Sequence, residues 1–198
     1  MNVMFYGGSA SGKSEEAEKY ALELDGRSGN LIYLATMNPQ AGGDSLERIQ
    51  KHRKMREGRG FFTIESQSSK AGDFIGDILN QVREFSDSKK SRKNTILIED
   101  SGNLIARIIF SGEEIRKEDF YMTILEDFFK ELYLYSENLL LVSNDIFLEE
   151  IQDCKGKEDL WLKTYCSILG KLNRKLAADF DQVIQVSCGI RQYLKKRS

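Results

Sequence analysis

Chemistry first becomes legible at Gly7-Gly8-Ser9-Ala10-Ser11-Gly12-Lys13-Ser14, directly after the apolar run Val3-Met4-Phe5-Tyr6. Gly, four residues, then Gly-Lys-Ser or Thr is the spacing of a phosphate-binding loop. Gly7 and Gly12 permit backbone angles and close approaches that other residues resist, so successive N–H groups can turn inward around an anion. Lys13 brings a point charge to the outer phosphates, and the Ser14 hydroxyl suits magnesium. A helix beginning near Gly12, with Glu15, Glu16 and Glu18 in its early turns and Ala17, Tyr20, Ala21 and Leu24 along it, would add its N-terminal dipole. Strand, loop and helix agree, and the chemistry they imply is binding of a nucleoside triphosphate.

A second group lies in Arg48-Ile49-Gln50-Lys51-His52-Arg53-Lys54-Met55-Arg56. On a helix, Arg48, His52 and Arg56 fall four apart on one face, a spacing at which like charges repel. From Glu47 to Arg59 there are six Lys or Arg against two Glu, an excess of four positive charges. His52 is the chain's single histidine. Neighbouring cations lower an imidazole's pKa and keep it neutral, as a nucleophile requires, and the same cations would attract a triphosphate. A solvated basic face explains the spacing equally well, and the residues alone leave both readings open.

The elements that must position these groups alternate. Leu31–Ala35, Phe61–Ile64, Thr95–Ile98, Leu139–Val142 and Val183–Val186 are short apolar runs, suited to strands of a parallel sheet buried on both faces. Helical spacing recurs through Phe74, Ile75, Ile78, Leu79 and Val82, from Leu104 to Phe110, up to about Tyr135, and through Leu160, Tyr165, Leu169, Leu172 and Leu176. Thr36 to Gly43, with the sole proline Pro39, reads as a loop, and Asp44 as the cap of a helix ending by Gly58 or Gly60. Ser86 to Asn94 reads as a surface connection, and 154–158 as a charged loop. This order predicts an α/β fold, mainly a parallel sheet with helices on both faces. Ligands of such sheets bind beyond the strands' carboxyl ends, which here supply the phosphate loop, Thr36, Glu65, Glu99, Asn144 and Ser187.

Composition bounds the function. A chain of 198 residues has room for one sizeable domain, 1–198, and a net charge of −2 argues against general nucleic-acid binding. Cys154, Cys166 and Cys188 are odd in number and lack metal-ligand spacing, as expected of reduced thiols in the cytoplasm. A strand at the very start leaves no room for a signal peptide, and no apolar stretch is long enough to span a bilayer.

Five stretches together resemble the CobU family, the bifunctional adenosylcobinamide kinases / adenosylcobinamide-phosphate guanylyltransferases of cobalamin synthesis. They are the phosphate loop, Tyr33-Leu34-Ala35-Thr36, Arg48-Ile49 with His52-Arg53, Leu141-Val142-Ser143-Asn144-Asp145, and Leu172-Asn173-Arg174 with Leu176-Ala177-Ala178-Asp179. The resemblance spans nearly the whole chain and implies a P-loop NTPase-like three-layer fold. It implies a nucleoside triphosphate, ATP or GTP, phosphorylating the aminopropanol hydroxyl of adenosylcobinamide. It further implies that His52 attacks the α-phosphate of GTP, and that adenosylcobinamide phosphate then takes the GMP to give adenosylcobinamide-GDP. Carried over by position, nucleotide contacts come from Gly7 to Ser14, Ala35, Thr36, Met37, Arg53, Lys54, Met55, Arg56, Glu65 and Glu99. Lys13 and Glu99 would join His52 in catalysis, and Ser14 and Glu99 would hold Mg2+. A homo-oligomer, a trimer with His52 near a subunit boundary, is implied as well. The chain departs from the family pattern with Ala10 in place of an arginine, Asp100 in place of an apolar residue or cysteine, and Phe147 in place of a small residue. The residues alone leave open another small-molecule kinase or NTPase, or a non-catalytic nucleotide-binding relative.

Overall fold

The computed structural model describes residues 1–25, 30–38, 58–68, 70–90, 93–112, 114–145 and 157–197. Its seven strands are β1 (Asn2–Gly7), β2 (Leu31–Ala35), β3 (Phe62–Glu65), β4 (Asn94–Ile98), β5 (Ser136–Asn144), β6 (Gln182–Ser187) and β7 (Ile190–Lys196). The described helices are α1 (Lys13–Asp25), α2 (Ala71–Ser88), α3 (Ser101–Ile109), α4 (Glu118–Tyr135) and α5 (Lys157–Asp179). One sheet runs in the order β3-β2-β4-β5-β1-β6-β7. Every pairing in it is parallel except the antiparallel β6–β7 hairpin.

Strand alternation divides the core. Met4, Ile32, Leu34, Ile96, Ile98, Leu139 and Leu141 face α2, α3, α4 and α5, where Phe74, Leu104, Phe128 and Leu169 close the cluster. Val3, Phe5, Tyr33, Leu97, Leu140 and Val142 face the other way, onto Ala17 and Ala21 of α1. The small alanines let α1 lie close on the sheet, which fixes where its first turn points. Burial of each large side chain stabilises by roughly 1.5–3 kcal/mol. The sheet and its helices form the P-loop NTPase-like α/β fold anticipated from the sequence.

Two expectations change. Ser86 to Asn94 is not a surface connection throughout, since α2 runs to Ser88 and both Ser86 and Asn94 are buried. The polar pair is tolerated because Asn94 Nδ2 donates to Ser86 Oγ at 2.9 Å and to the Tyr135 carbonyl at 2.6 Å, while Ser86 Oγ donates to Val82 O. Val186 does not end the last strand either. Ser187 and Ile190 close a two-residue turn through Cys188 (φ 51°) and Gly189 (φ 75°), and β7 follows as an edge strand. Two successive left-handed residues make this the tight hairpin turn that matches strand twist.

Candidate functional site

The phosphate loop leaves β1 at Gly7, where a methyl group would lie 2.5 Å from the Val186 carbonyl oxygen and 2.9 Å from Ser11 Oγ. Only glycine fits there. Ala10 (φ 56°) and Gly12 (φ 90°) are left-handed, so the chain curls back on itself between Gly8 and Ser11 and enters α1 at Lys13. For Ala10 that conformation is strained by about 1–2 kcal/mol. Lys13 is buried, and its Nζ donates to the Gly8 carbonyl at 3.0 Å. Ser9 and Ala10 are exposed, Ser14 is half-buried, and the Ser11 hydroxyl is buried with no hydrogen-bond partner. Leaving it unbonded costs about 1–3 kcal/mol, and a phosphate oxygen is one acceptor that would relieve that cost. The loop and its residues therefore fit a nucleotide's phosphates.

The hairpin turn braces the loop from outside. Gly189 N–H donates to the Ser11 carbonyl at 2.9 Å, and Gly189 Cα would be 3.2 Å from a methyl on Gly12. Arg191 of β7 pairs with Glu16 of α1 at 2.5 Å and lies over the Tyr20 ring. Burial pushes the Glu16 carboxyl up, and its bonds with Lys19 and Arg191 more than offset that, leaving its pKa below the usual value.

Away from β1 the strand ends are held by side chains. Glu99, just past β4, is buried, and its Oε2 accepts from the N–H groups of Thr36 at 3.0 Å and Met37 at 3.3 Å. The Thr36 hydroxyl donates to the Asp100 carbonyl at 2.9 Å. Arg107 of α3 is buried with its guanidinium 3.7 Å from the Phe74 ring centroid. It donates to the carbonyls of Ser66 (3.1 Å), Ser68 and Met37 (3.4 Å), tying the segments after β2 and β3 to one cation. Burial pushes Arg107 down to about 10 against the opposing charge of Asp77, so it stays charged at neutral pH.

Between these regions, Asp100 Oδ1 caps α3 by accepting from Gly102 N–H (2.6 Å) and Asn103 N–H (3.1 Å). Asn144 Nδ2 donates to both Asp100 oxygens at 2.8 Å. Asn144 is in register with Gly7, and Asp145 N–H donates to the Gly7 carbonyl at 3.0 Å, so this pair borders the phosphate loop. Burial, reinforced by its hydrogen bond with Asp145, pushes the Tyr6 phenol up to about 12.

The candidate residues among those described thus lie at the carboxyl ends of their strands, at graded distances from the phosphate loop. Strand order puts Glu99 two strands from β1, Ala35, Thr36 and Met37 three, and Glu65 four. At about 4.8 Å per strand, Glu65 is roughly 19 Å from Gly7 along the sheet. His52, Arg53, Lys54, Met55 and Arg56 lie outside the described residues. Sequence reasoning missed Arg107 and the Gly189 brace, and it read Asp100 only as a departure. The signal available was Cys188-Gly189 as a two-residue turn before alternating Ile190 and Gln192. Among the described residues no group of three or more His, Cys, Asp or Glu comes together. Magnesium needs none, being held by one or two protein ligands plus phosphate. No described helix is long and apolar enough to cross a membrane.

A KaiC-like protein from Pyrococcus horikoshii OT3 is similar at 12% identity and TM-score 0.48, covering 93% of this chain and 71% of that one. The flagellar accessory protein FlaH from Methanocaldococcus jannaschii is similar at 16% identity and TM-score 0.46, covering 99% and 78%. The ATP synthase subunit NeqB from Nanoarchaeum equitans, at 12% identity and TM-score 0.56, is covered over 46% of its length by 94% of this chain. At such identities the likeness to NeqB speaks for a shared fold alone. No curated protein matches the chain. The family profile described as cobinamide kinase / cobinamide phosphate guanyltransferase matches residues 3–194, nearly all of it. The chain belongs to the CobU family of cobinamide kinases / cobinamide phosphate guanyltransferases.

Proposed function

We propose that this protein catalyses both reactions of its family: phosphorylation of the adenosylcobinamide hydroxyl by ATP or GTP, then GMP transfer from GTP to adenosylcobinamide phosphate. The observation that carries the reading is a family match over residues 3–194 that begins on a phosphate loop with a buried, unbonded Ser11 hydroxyl. In the first reaction the substrate hydroxyl attacks the γ-phosphorus and the bond to the β-bridging oxygen breaks. Such transfer depends on positioning and charge neutralisation, roles assigned to the N–H groups of Gly7 to Ser14 and to Lys13. Mg2+, which neutralises charge on the outer phosphates, would be held by Ser14, with Glu99 contributing charge from the end of β4. The bonds of Glu99 favour a second duty as well, since they orient the Thr36 and Met37 amides.

In the second reaction His52 is assigned as nucleophile. Its imidazole nitrogen attacks the α-phosphorus of GTP, pyrophosphate leaves, and a phosphate oxygen of adenosylcobinamide phosphate displaces the imidazole. Arg53, Lys54, Met55, Arg56 and Glu65 are assigned to the nucleotide. The protein would work in the cytoplasm as a homo-oligomer, a trimer by family resemblance.

The two activities separate in one experiment. His52→Asn should keep cobinamide phosphorylation and lose adenosylcobinamide-GDP formation, and wild type given GTP labelled at the α-phosphate should carry acid-labile label on the protein. Normal GMP transfer by the variant would remove His52 from the chemistry.

A further inference from the structure

Past the end of α3 lies a second surface that the nucleotide chemistry does not use. Phe110, the residue after α3, is 53% exposed although two aromatic rings of α5 support it. Its ring centroid is 5.7 Å from that of Trp161 at 32° and 6.3 Å from that of Tyr165 at 28°. Trp161 and Tyr165 stand four apart on one helix face, so Phe110, stacked with Tyr165 and tilted to Trp161, forms a ledge with them. A half-exposed phenylalanine so supported presents a flat apolar face to whatever lies outside.

The ledge is continuous with the nucleotide edge. A methyl on Gly102 would meet the Tyr165 hydroxyl at 2.6 Å, Asp100 Oδ1 at 3.0 Å and Asn144 Nδ2 at 3.1 Å, so these groups converge on one point. Asn144 is in turn the register partner of Gly7. Burial, with the charge of Asp100 behind it, pushes the Tyr165 phenol up to about 12, so it remains a neutral phenol at working pH. The chain neighbours of Phe110, Ile109 and Ser111, line a recess of about 590 Å³ that Glu114, Arg116 and Phe120 also line. That volume lies in the range of small-molecule sites.

We propose that Phe110, backed by Trp161 and Tyr165, seats the corrin ring of the acceptor substrate, with the ring's amide-bearing rim towards Glu114 and Arg116. The proposal rests on the functional reading above and adds to it where the second substrate lies. Three features select this occupant. Around its axial ligands and amide chains the corrin presents methyl-rich apolar surface, which suits contact with an open aromatic ring. Its edge carries amides, which suit the mixed charges of the recess. Its reacting hydroxyl sits on a flexible arm, and Tyr165, on which Phe110 stacks, reaches the Asp100–Asn144 pair that borders the phosphate loop.

The alternative apolar recess, about 510 Å³, lies between β1, β6, β7 and α5 and is lined by Met4, Val183, Ala177 and Leu194. It supplies the control. Equilibrium dialysis of cobinamide against wild type, Phe110→Ala, Phe110→Trp and Leu194→Ala, with GTP affinity measured in parallel, tests the assignment. Phe110→Ala should bind cobinamide about tenfold more weakly at unchanged GTP affinity. Phe110→Trp, which restores a flat face, and Leu194→Ala should both bind as wild type does. Equal binding by Phe110→Ala, equal loss in both Phe110 variants, or a loss confined to Leu194→Ala would each overturn the proposal while leaving the functional reading in place. A wild-type protein that binds GTP but not cobinamide would instead overturn the functional reading, and this assignment with it.

Discussion

At the end of β1 the surface offered to a ligand is main chain, curled by Gly7, Ala10 and Gly12 and wedged by the Gly189 turn. Past β2 and β3 the corresponding surface is held by two buried charges, Glu99 on the amides of Thr36 and Met37, and Arg107 on the carbonyls of Met37, Ser66 and Ser68. The first kind of construction needs glycine at fixed spacings, because only glycine allows the close approach at Gly7. The second needs one cation and one anion in the right places and leaves the neighbouring residues free to vary. One half of the site is therefore specified by local spacing, the other by contacts between distant elements.

Removing charge from each half separates them. Lys13→Ala takes the cation but none of the backbone, so NTP-dependent cobinamide phosphorylation should fall by about 10²–10³-fold, the scale of losing one well-placed charge-stabilising group. Thermal unfolding should stay near wild type. A folded Lys13→Ala protein with normal turnover would mean that the main-chain half does not hold the reacting phosphate.

Arg107→Met keeps the stem packed on Phe74 and deletes the bonds to three carbonyls. Urea unfolding should show a loss of about 2–3 kcal/mol, and the KM for nucleotide should rise more than kcat falls. Arg107→Lys, which retains charge without the planar fork, should recover part of the stability. If instead kcat collapsed with KM unchanged, the side-chain half would belong to the chemistry rather than to positioning.

The smallest effect is alkaline. Burial holds the phenols of Tyr6, Tyr133 and Tyr165 at about 12, above the value of about 10 expected once unfolded. Between pH 10 and 12 the unfolded chain therefore binds fewer protons on these groups, and their contribution to stability falls as pH rises. Arg107 acts with the opposite sign over the same window, because its folded value lies near 10, below its unfolded one. Stability measured by denaturant titration should decline across this window, less steeply in Tyr165→Phe and more steeply in Arg107→Met.

The same contrast governs what the sequence made legible. Leu31–Ala35 and Thr95–Ile98 are apolar on both faces because the sheet is covered on both faces, and such runs announce themselves. Gly7 to Ser14 is legible for the reason given above. Arg107 was not, because one arginine on an amphipathic helix looks like a solvated residue, and its burial depends on carbonyls from β2 and β3 that only the fold assembles. Ile190 to Lys196 carries four Lys or Arg groups with its flanking Arg197 and gives no apolar run to read, yet an edge strand accommodates charge along its open side. Asn94 looked like surface because its partners, Ser86 and Tyr135, come from two helices. The basic stretch around His52 and the Cys154–Glu158 loop, up to where α5 begins, lie outside the described residues.

The bond from Gly189 to Ser11 has a kinetic meaning too. It joins the two ends of the fold, and contacts so far apart in sequence form late because the intervening chain must first be ordered. The strand-loop-helix unit of β1 and α1 emerges early in synthesis, but its loop lacks the outer wall until the C-terminal hairpin has paired with β1. A nucleotide that bound the completed loop and not the open one would then act as a latch on the last folding step. Its presence should slow hydrogen exchange at Gly189 and along β7 more than in the strands that are already closed.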